Sequence, residues 1–287
     1  MIEKLRPEYT MKELCAAMEI SSSGYYEWRR RPLSQRGREN QILIQEIKTI
    51  HKDRHLKNYG SPRMRTELNN RGYPCSRKRV ARLMACEGIT ARHTRKWIPR
   101  TTVQNPRSKP SPNHLKKLPA TATAGQVWVS DITYVFTRQK TYYLAVIMDL
   151  HTRQILGWQL DSHMESSLVL AALRQAESSQ SEFTGPMFHS DRGCQYTSKL
   201  IRSHLTEKGY LQSMSAKGSC YDNAACESFF ATLKKECFPA NQTFENPSEA
   251  RRAIFAYLAS FYNSRRIHTS LGHLAPDQFA ELSLQVS

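Results

Sequence analysis

The chain has 287 residues, 39% of them hydrophobic and 9% aromatic, enough apolar material for one large domain or two to three small ones with a buried core. Its formal charge of +17 is segregated: residues 1–120 hold 27 of the 42 Lys and Arg against 10 of the 25 Asp and Glu, which leaves 15 of each beyond them. A near-neutral part joined to a strongly basic one fits a compact core carrying a polyanion-binding module, because phosphate neutralisation and counterion release drive such binding, and nucleic acid becomes the leading partner. No apolar run approaches the roughly 20 residues of a membrane helix, the seven cysteines form no CxxC pair, and the charged opening MIEKLRPEYT is not a signal peptide; a cytoplasmic protein with reduced thiols is expected.

Residues 1–40 read as a helix-turn-helix-like segment. YTMKELCAAMEISSSGYYEWRRR offers a helix around 11–18, a turn at Ser21–Gly24 and a helix closing on Arg29, Arg30 and Arg31, a spacing that an ordinary helical hairpin shares. Residues 41–98 read as a second helical DNA-binding unit. ILIQEIKTIH puts Leu43, Ile47 and Ile50 on one face, a turn follows at Tyr59-Gly60-Ser61-Pro62, and Met64 and Leu68 mark the next helix. Ser76 can cap a third helix that leaves Val80, Leu83 and Met84 for a core and carries Arg77, Lys78, Arg79 and Arg82 in its early turns. Cations at a helix start oppose the macrodipole, so their placement suits a helix presented to phosphates or a major groove.

Residues 99–125, with five prolines and no hydrophobic period, read as a linker. Beyond it, 126–240 change to strands and helices: QVWVSDITYVF, KTYYLAVIMDL and RQILGWQLD are three strands of an antiparallel meander, followed by a helix at SSLVLAALRQAESS. A strand in GPMFHSD, a helix in SKLIRSHLTEKG, a short strand in YLQSMS and a helix from Asn223 to Phe238 complete a mixed sheet covered by helices. Residues 241–287 are expected to be a helical extension of that core, with Ile254, Tyr257, Leu258 and Phe261 on its packing face.

Three acidic residues stand out by placement: Asp131 within the first strand, Asp191 at the C-terminal end of the fourth, and Glu227 one turn into the last helix of the core, each flanked by apolar residues. Converging carboxylates repel unless a cation joins them. Hard divalent cations take oxygen ligands, and two of them about 3.5–4 Å apart support in-line displacement at a phosphodiester. Asp149 and Asp161 sit at strand ends and Asp222 is placed to cap the helix of Glu227, so structural roles are expected for them. Asn223 either orients Glu227 or caps its helix, and His189, on the same strand face as Asp191, is expected to support it.

Asp191 and Glu227 are separated by 35 residues, and WVSDITYV, HSDRGCQYTS, YDNAACESFFATLKKE and FYNSRRIHTSLGHLAP resemble the signature blocks of insertion-sequence transposases, more narrowly the OrfB type with a retroviral-integrase-like catalytic core. The resemblance runs from about residue 10 to 280. It implies a ribonuclease H-like fold, which here follows the helix-turn-helix-like units read above, a metal triad of Asp131, Asp191 and Glu227, and cleavage and joining of double-stranded DNA at element ends and target. It further implies two Mg²⁺ ions with Mn²⁺ as a substitute, a homo-oligomer on DNA, and an upstream OrfA partner or fusion. Lys234, two turns beyond Glu227, matches the family's basic residue on that helix; Arg265 and Arg266, in the closing block with Tyr257, Tyr262, Asn263 and His268, are read as phosphate contacts. His51, His55, Cys75 and Cys86 resemble the zinc ligands of retroviral integrases, but the cysteines lie too far apart for the usual pairing and zinc is not expected. No GxxxxGK[ST] occurs, so no nucleotide cofactor is expected. The competing readings are an integrase or ribonuclease H-like nuclease, and a DNA-binding regulator that keeps the fold without catalysis; the intact acidic positions count against the last.

Overall fold

A computed structural model describes residues 2–91, 110–115, 123–180, 185–215 and 223–286; most of the expected linker, and Asp222, lie outside the described residues. Three helices open the chain: α1 (Ile2–Leu5), α2 (Met11–Ala17) and α3 (Ser22–Arg30). Thr10 and Glu13 close α2 with a capping box, the Glu13 amide donating to Thr10 Oγ1 at 3.4 Å and the Thr10 amide to Glu13 Oε2 at 2.9 Å. The turn expected at Ser21–Gly24 is the cap of α3, where the Gly24 amide donates to Ser21 Oγ at 3.0 Å. Ile2, Leu14, Cys15 and Tyr25 form a small core of their own.

Helix α4 (Gln35–Lys52) is capped by Ser34 and runs unbroken through residue 40, so the two helical segments read from the sequence share one helix. It buries Leu43, Ile47 and Ile50 on one face, as their spacing predicts. Helix α5 (Ser61–Asn70) starts with Pro62 in its first turn and buries Met64 and Leu68. Ser76 caps α6 (Arg77–Cys86), accepting from the Arg79 amide at 3.3 Å, and Val80, Leu83 and Met84 are buried.

The meander is β1 (Val127–Thr137), β2 (Thr141–Asp149) and β3 (Ile155–Asp161), antiparallel, with Asp131 opposite Val146. After α7 (Ser166–Ser178) come β4 (Met187–Ser190), α8 (Lys199–Glu207), β5 (Leu211–Met214) and α9 (Ala224–Glu236). The sheet order is β3-β2-β1-β4-β5, with β4 parallel to β1 and to β5. This is the mixed sheet flanked by helices that the sequence implies. A short β6 (Thr243–Phe244), not anticipated, pairs in parallel with Phe136 and Thr137 at the far end of β1. Helix α10 (Pro247–Tyr257) then passes through a π-helical turn at Leu258–Tyr262, and α11 (Pro276–Val286) ends the described chain.

Alternation along β2 divides the core. Ala145 and Ile147 face α7 and α8, whereas Leu144, Val146 and Met148 join the cluster of α9, α10 and the helices α4–α6. Gly157 of β3 lets α7 lie close: a Cβ there would strike the carbonyl oxygen of Ala172 and stand 2.7 Å from the Ala176 nitrogen. The front helices are tied to the C-terminal segment, since the Ile267 amide donates to the fully buried Tyr59 hydroxyl at 3.2 Å and His55 stacks on Phe261 at 4.8 Å between ring centres. No helix of the described residues is long and apolar enough to cross a membrane.

Candidate active site and nucleic-acid interface

One edge of β1 is shared by two short strands. β4 pairs with Val127–Val129 and β6 with Phe136–Thr137, so among the described residues no strand lies beside Ser130 to Val135 on that edge. A crevice opens there because β4 ends at Ser190, the usual place for a ligand beyond the carboxyl end of a strand. Asp131, Asp191, Gly193, Gln195 and Tyr196 line it, and its volume of about 20 Å³ suits a water-sized body.

Each acid is held by local bonds. Asp131 Oδ1 accepts from the Ile132 amide at 2.8 Å and Asp191 Oδ1 from the Gly193 amide at 2.9 Å. Beneath Asp191, His189 is fully buried, with Nδ1 2.9 Å from Ser213 Oγ and Nε2 3.1 Å from Ser215 Oγ, while Arg192 Nε donates to the Ser215 carbonyl at 2.7 Å. These bonds fasten the end of β4 to β5, a supporting role of the kind the sequence suggested. Beside Asp131, Ser130 Oγ lies 2.9 Å from the Tyr196 hydroxyl, and the Ser130 carbonyl accepts from Asn223 Nδ2 at 3.3 Å. Asn223 is therefore the N-cap residue of α9 by position without capping it by side chain; it anchors the helix of Glu227 to β1.

Burial and then the charges of Asp191 and Glu227 push the Asp131 carboxyl up to about 8, and Lys234 partly offsets them. Lys234 is itself lowered by burial while Asp131 acts to raise it, so these two groups feel each other across α9 and β1. Glu227 stands exposed in the first turn of α9. Among the described residues no three Asp, Glu, His or Cys side chains gather closely enough to hold a metal ion together. The crevice fits such an ion through its electrostatics: a carboxyl this reluctant to ionise beside a second acid is a site where a cation removes repulsion, and Mg²⁺ commonly takes only one or two protein carboxylates plus water and substrate phosphate.

The other acids are structural. Asp149 is buried, its Oδ1 accepting from the His151 and Thr152 amides at 2.9 and 2.7 Å and its Oδ2 from Gly125 at 2.7 Å. Asp161 closes a turn over the Ser162 and His163 amides.

The basic residues divide. Arg77, Lys78 and Arg82 are exposed on α6, and Arg265 is exposed after the π-turn. Arg79 is drawn inward: Nε donates to Asn40 Oδ1 at 2.8 Å and Nη2 to Glu39 Oε2 at 3.0 Å, tying α6 to α4. Arg266 corrects the sequence reading. It is 3% exposed and forks onto Glu236 at 2.7 and 2.9 Å, with Tyr257 donating to the same carboxylate at 2.7 Å, so its charge is spent inside the protein. Nothing in the adjacent pair Arg265-Arg266 distinguishes the two; only the packing of α9 against the closing segment does. Sequence reasoning also passed over Tyr196, whose sole signal was an aromatic residue five positions after Asp191.

Three stretches of the chain match known families. Residues 122–220 and 208–276 match models described as integrase core domain, and residues 38–97 match one described as HTH-like domain. A transposase InsF for insertion sequence IS3fB from Escherichia coli (strain K12) is 34% identical over 285 residues, 99% of this chain and 98% of that protein. An uncharacterised 31 kDa protein of insertion element IS600 from Shigella sonnei is 38% identical over 268 residues, 93% of this chain and 97% of that protein. Among solved structures, the HTLV-2 integrase catalytic core domain in complex with magnesium (trimeric form) matches with a TM-score of 0.40 and 14% identity, over 55% of this chain and 97% of that one. A simian T-cell lymphotropic virus intasome in complex with PP2A regulatory subunit B56 gamma matches with 0.47 and 15%, over 75% of this chain and 70% of that one.

The family matches therefore define a DNA polynucleotidyl transferase with an integrase-type core, a class that depends on divalent metal ions. The chain belongs to the insertion-sequence transposases, and it acts on DNA by strand cleavage and strand transfer in transposition.

Proposed function

We propose that Asp131, Asp191 and Glu227 form the catalytic triad, that they hold two Mg²⁺ ions with Mn²⁺ able to substitute, and that the substrate bonds are phosphodiesters at the element's ends and in target DNA. The observation that carries this reading is the meeting of Asp131 and Asp191 in the crevice left where β4 stops, with the Asp131 carboxyl raised to about 8 by burial and by its acidic neighbours. When bound, the ions would supply Lewis acidity and charge neutralisation at the reacting phosphate.

The chain's own residues do the rest. The Gly193 amide fixes the Asp191 carboxylate, the Ile132 amide fixes that of Asp131, and Asn223 sets the start of α9 against β1, so that Glu227 is delivered from a helix rather than a loop. Lys234 provides a fixed positive charge near Asp131 and beside the path of a bound strand. Exposed Arg77, Lys78 and Arg82 on α6, with Arg265, contact double-stranded DNA; Arg79 contributes by holding α6 on α4. In this reading the helical segment, the second DNA-binding unit, the linker, the catalytic core and its extension have the limits 1–40, 41–98, 99–125, 126–240 and 241–287, with α4 shared across residue 40. Two element ends must be brought together, so the active form is a homo-oligomer on DNA, acting in the cytoplasm on the nucleoid, with an OrfA part as partner or fusion.

The test is strand cleavage and joining with Mg²⁺ on duplexes carrying the element's ends, wild type against Asp191→Ala. Activity confined to the wild type supports the triad. Equal activity in both proteins removes it.

A further inference from the structure

A second cavity, about 300 Å³, lies where α9 meets the β2–β3 turn, α5 and the segment after α10. Arg63, Arg153, Arg266, His268, Ser228 and Thr269 line it. Its charges do not balance. Glu236 is committed to Arg266 at 2.7 and 2.9 Å and lies 3.6 Å from Arg63, while Arg153 has no ion-pair partner among the described residues. His268 adds no negative charge, since its Nε2 lies 3.1 Å from Arg266 Nη1 and accepts from it as a neutral ring. Burial first, then Arg266, Arg63 and Arg153, push that imidazole down to about 3, which registers the positive field inside the cavity. Ala224 and Ala225, in the first turn of α9, face the same space, and the N-cap side chain, Asn223, is turned to the Ser130 carbonyl instead of covering that end. The unpaired amides and dipole of a helix start favour an anion.

The backbone adds an independent sign. Arg153 sits at φ +63°, in the left-handed region where glycine or asparagine is the easier residue.

We propose that this cavity seats a backbone phosphate of bound DNA, with Arg153 as the principal contact and Arg63 and Ser228 assisting. The proposal rests on the transposase reading for its choice of DNA. Guanidinium forks and hydroxyls select an oxyanion, and the volume takes a phosphate with part of its sugar. Ser228 follows Glu227 on α9, so the cavity opens on the helix that carries Glu227.

The test uses the full chain and a random-sequence duplex, with affinity measured across a salt series for wild type, Arg153→Gly and Arg153→Lys. Arg153→Gly keeps or raises the thermal midpoint, because glycine accepts this φ without strain, yet binds DNA about tenfold more weakly and flattens the salt slope by about 1. Arg153→Lys restores most of the affinity. Millimolar inorganic phosphate weakens DNA binding by the wild type more than by Arg153→Gly. Equal affinity and slope for wild type and Arg153→Gly overturn the proposal, and if phosphate alone then shifts the His268 ring resonances, the cavity takes a free anion instead. A wild-type protein that binds no duplex overturns the underlying reading as well, which keeps the two failures apart.

Discussion

The Asp131 proton makes the metal-free protein sensitive to pH. The unfolded chain releases it near 3.8, whereas the folded chain keeps it until about 8, because burial and the nearby Asp191 and Glu227 charges oppose ionisation. Between those values the folded state binds more protons than the unfolded one, so stability falls as pH rises through the window and levels off above it. Denaturant midpoints at a series of pH values in chelator will show that slope, and Asp131→Asn will flatten it. In the proposed site, divalent-ion affinity moves the opposite way, rising with pH as Asp131 becomes able to ligate. Gly193 is a second point of control. A Cβ there would stand 3.0 Å from Asp191 Oδ1 and 2.9 Å from Gln195 Oε1, so Gly193→Ala displaces the acid. If Asp191 acts as proposed, strand-transfer rates should drop roughly tenfold to a hundredfold with little change in the unfolding midpoint, since small misplacements of a catalytic group are costly while the fold is untouched. At this scale the sequence was informative about chemistry and poor about burial: the placement of Asp131 and Asp191 on strands was readable, but whether Arg266 faced water or Glu236 was not.

Helices were legible wherever a period and a cap coincided, as in α4 with Leu43, Ile47 and Ile50, and α6 behind Ser76. β6 was illegible because two residues carry no period; its partner is the end of an 11-residue strand more than a hundred positions earlier. The π-turn at Leu258–Tyr262 likewise hides inside an apolar stretch that reads as continuous helix. Two substitutions test how the elements are joined. Gly157→Ala forces α7 off β3 at the Ala172 carbonyl and should cost about 1–3 kcal/mol in chemical unfolding, the range for overpacking a tight core. Arg266→Ala strands the buried Glu236 carboxylate between α9 and the closing segment and should cost about 3–5 kcal/mol, because removing one partner of a buried pair leaves the other uncompensated. A loss under 1 kcal/mol in the second case would mean that water or Arg63 replaces the missing partner.

For the whole molecule, charge and packing point to one extended DNA-binding body. The basic excess lies in the first 120 residues, and α6 exposes Arg77, Lys78 and Arg82. Affinity for duplex DNA should fall steeply with salt, each of these three changed to Ala lowering the slope by about 1, as for loss of one phosphate contact. The sequence divided the chain at the change in charge. What the division concealed is that α4–α6 share a hydrophobic cluster with β1, β2 and α9. The bond from the Ile267 amide to Tyr59 spans 208 positions, and no local pattern announces a contact of that range. That junction turns the protein into a caliper. With α6 fixed to the frame that carries the crevice, the interval between the DNA that α6 contacts in the proposed reading and the crevice becomes a property of the folded chain. Inserting base pairs next to the recognised sequence should therefore move the cut along with that sequence, base pair for base pair, when product ends are mapped; a cut that stays at the original boundary would mean that the front end swings freely.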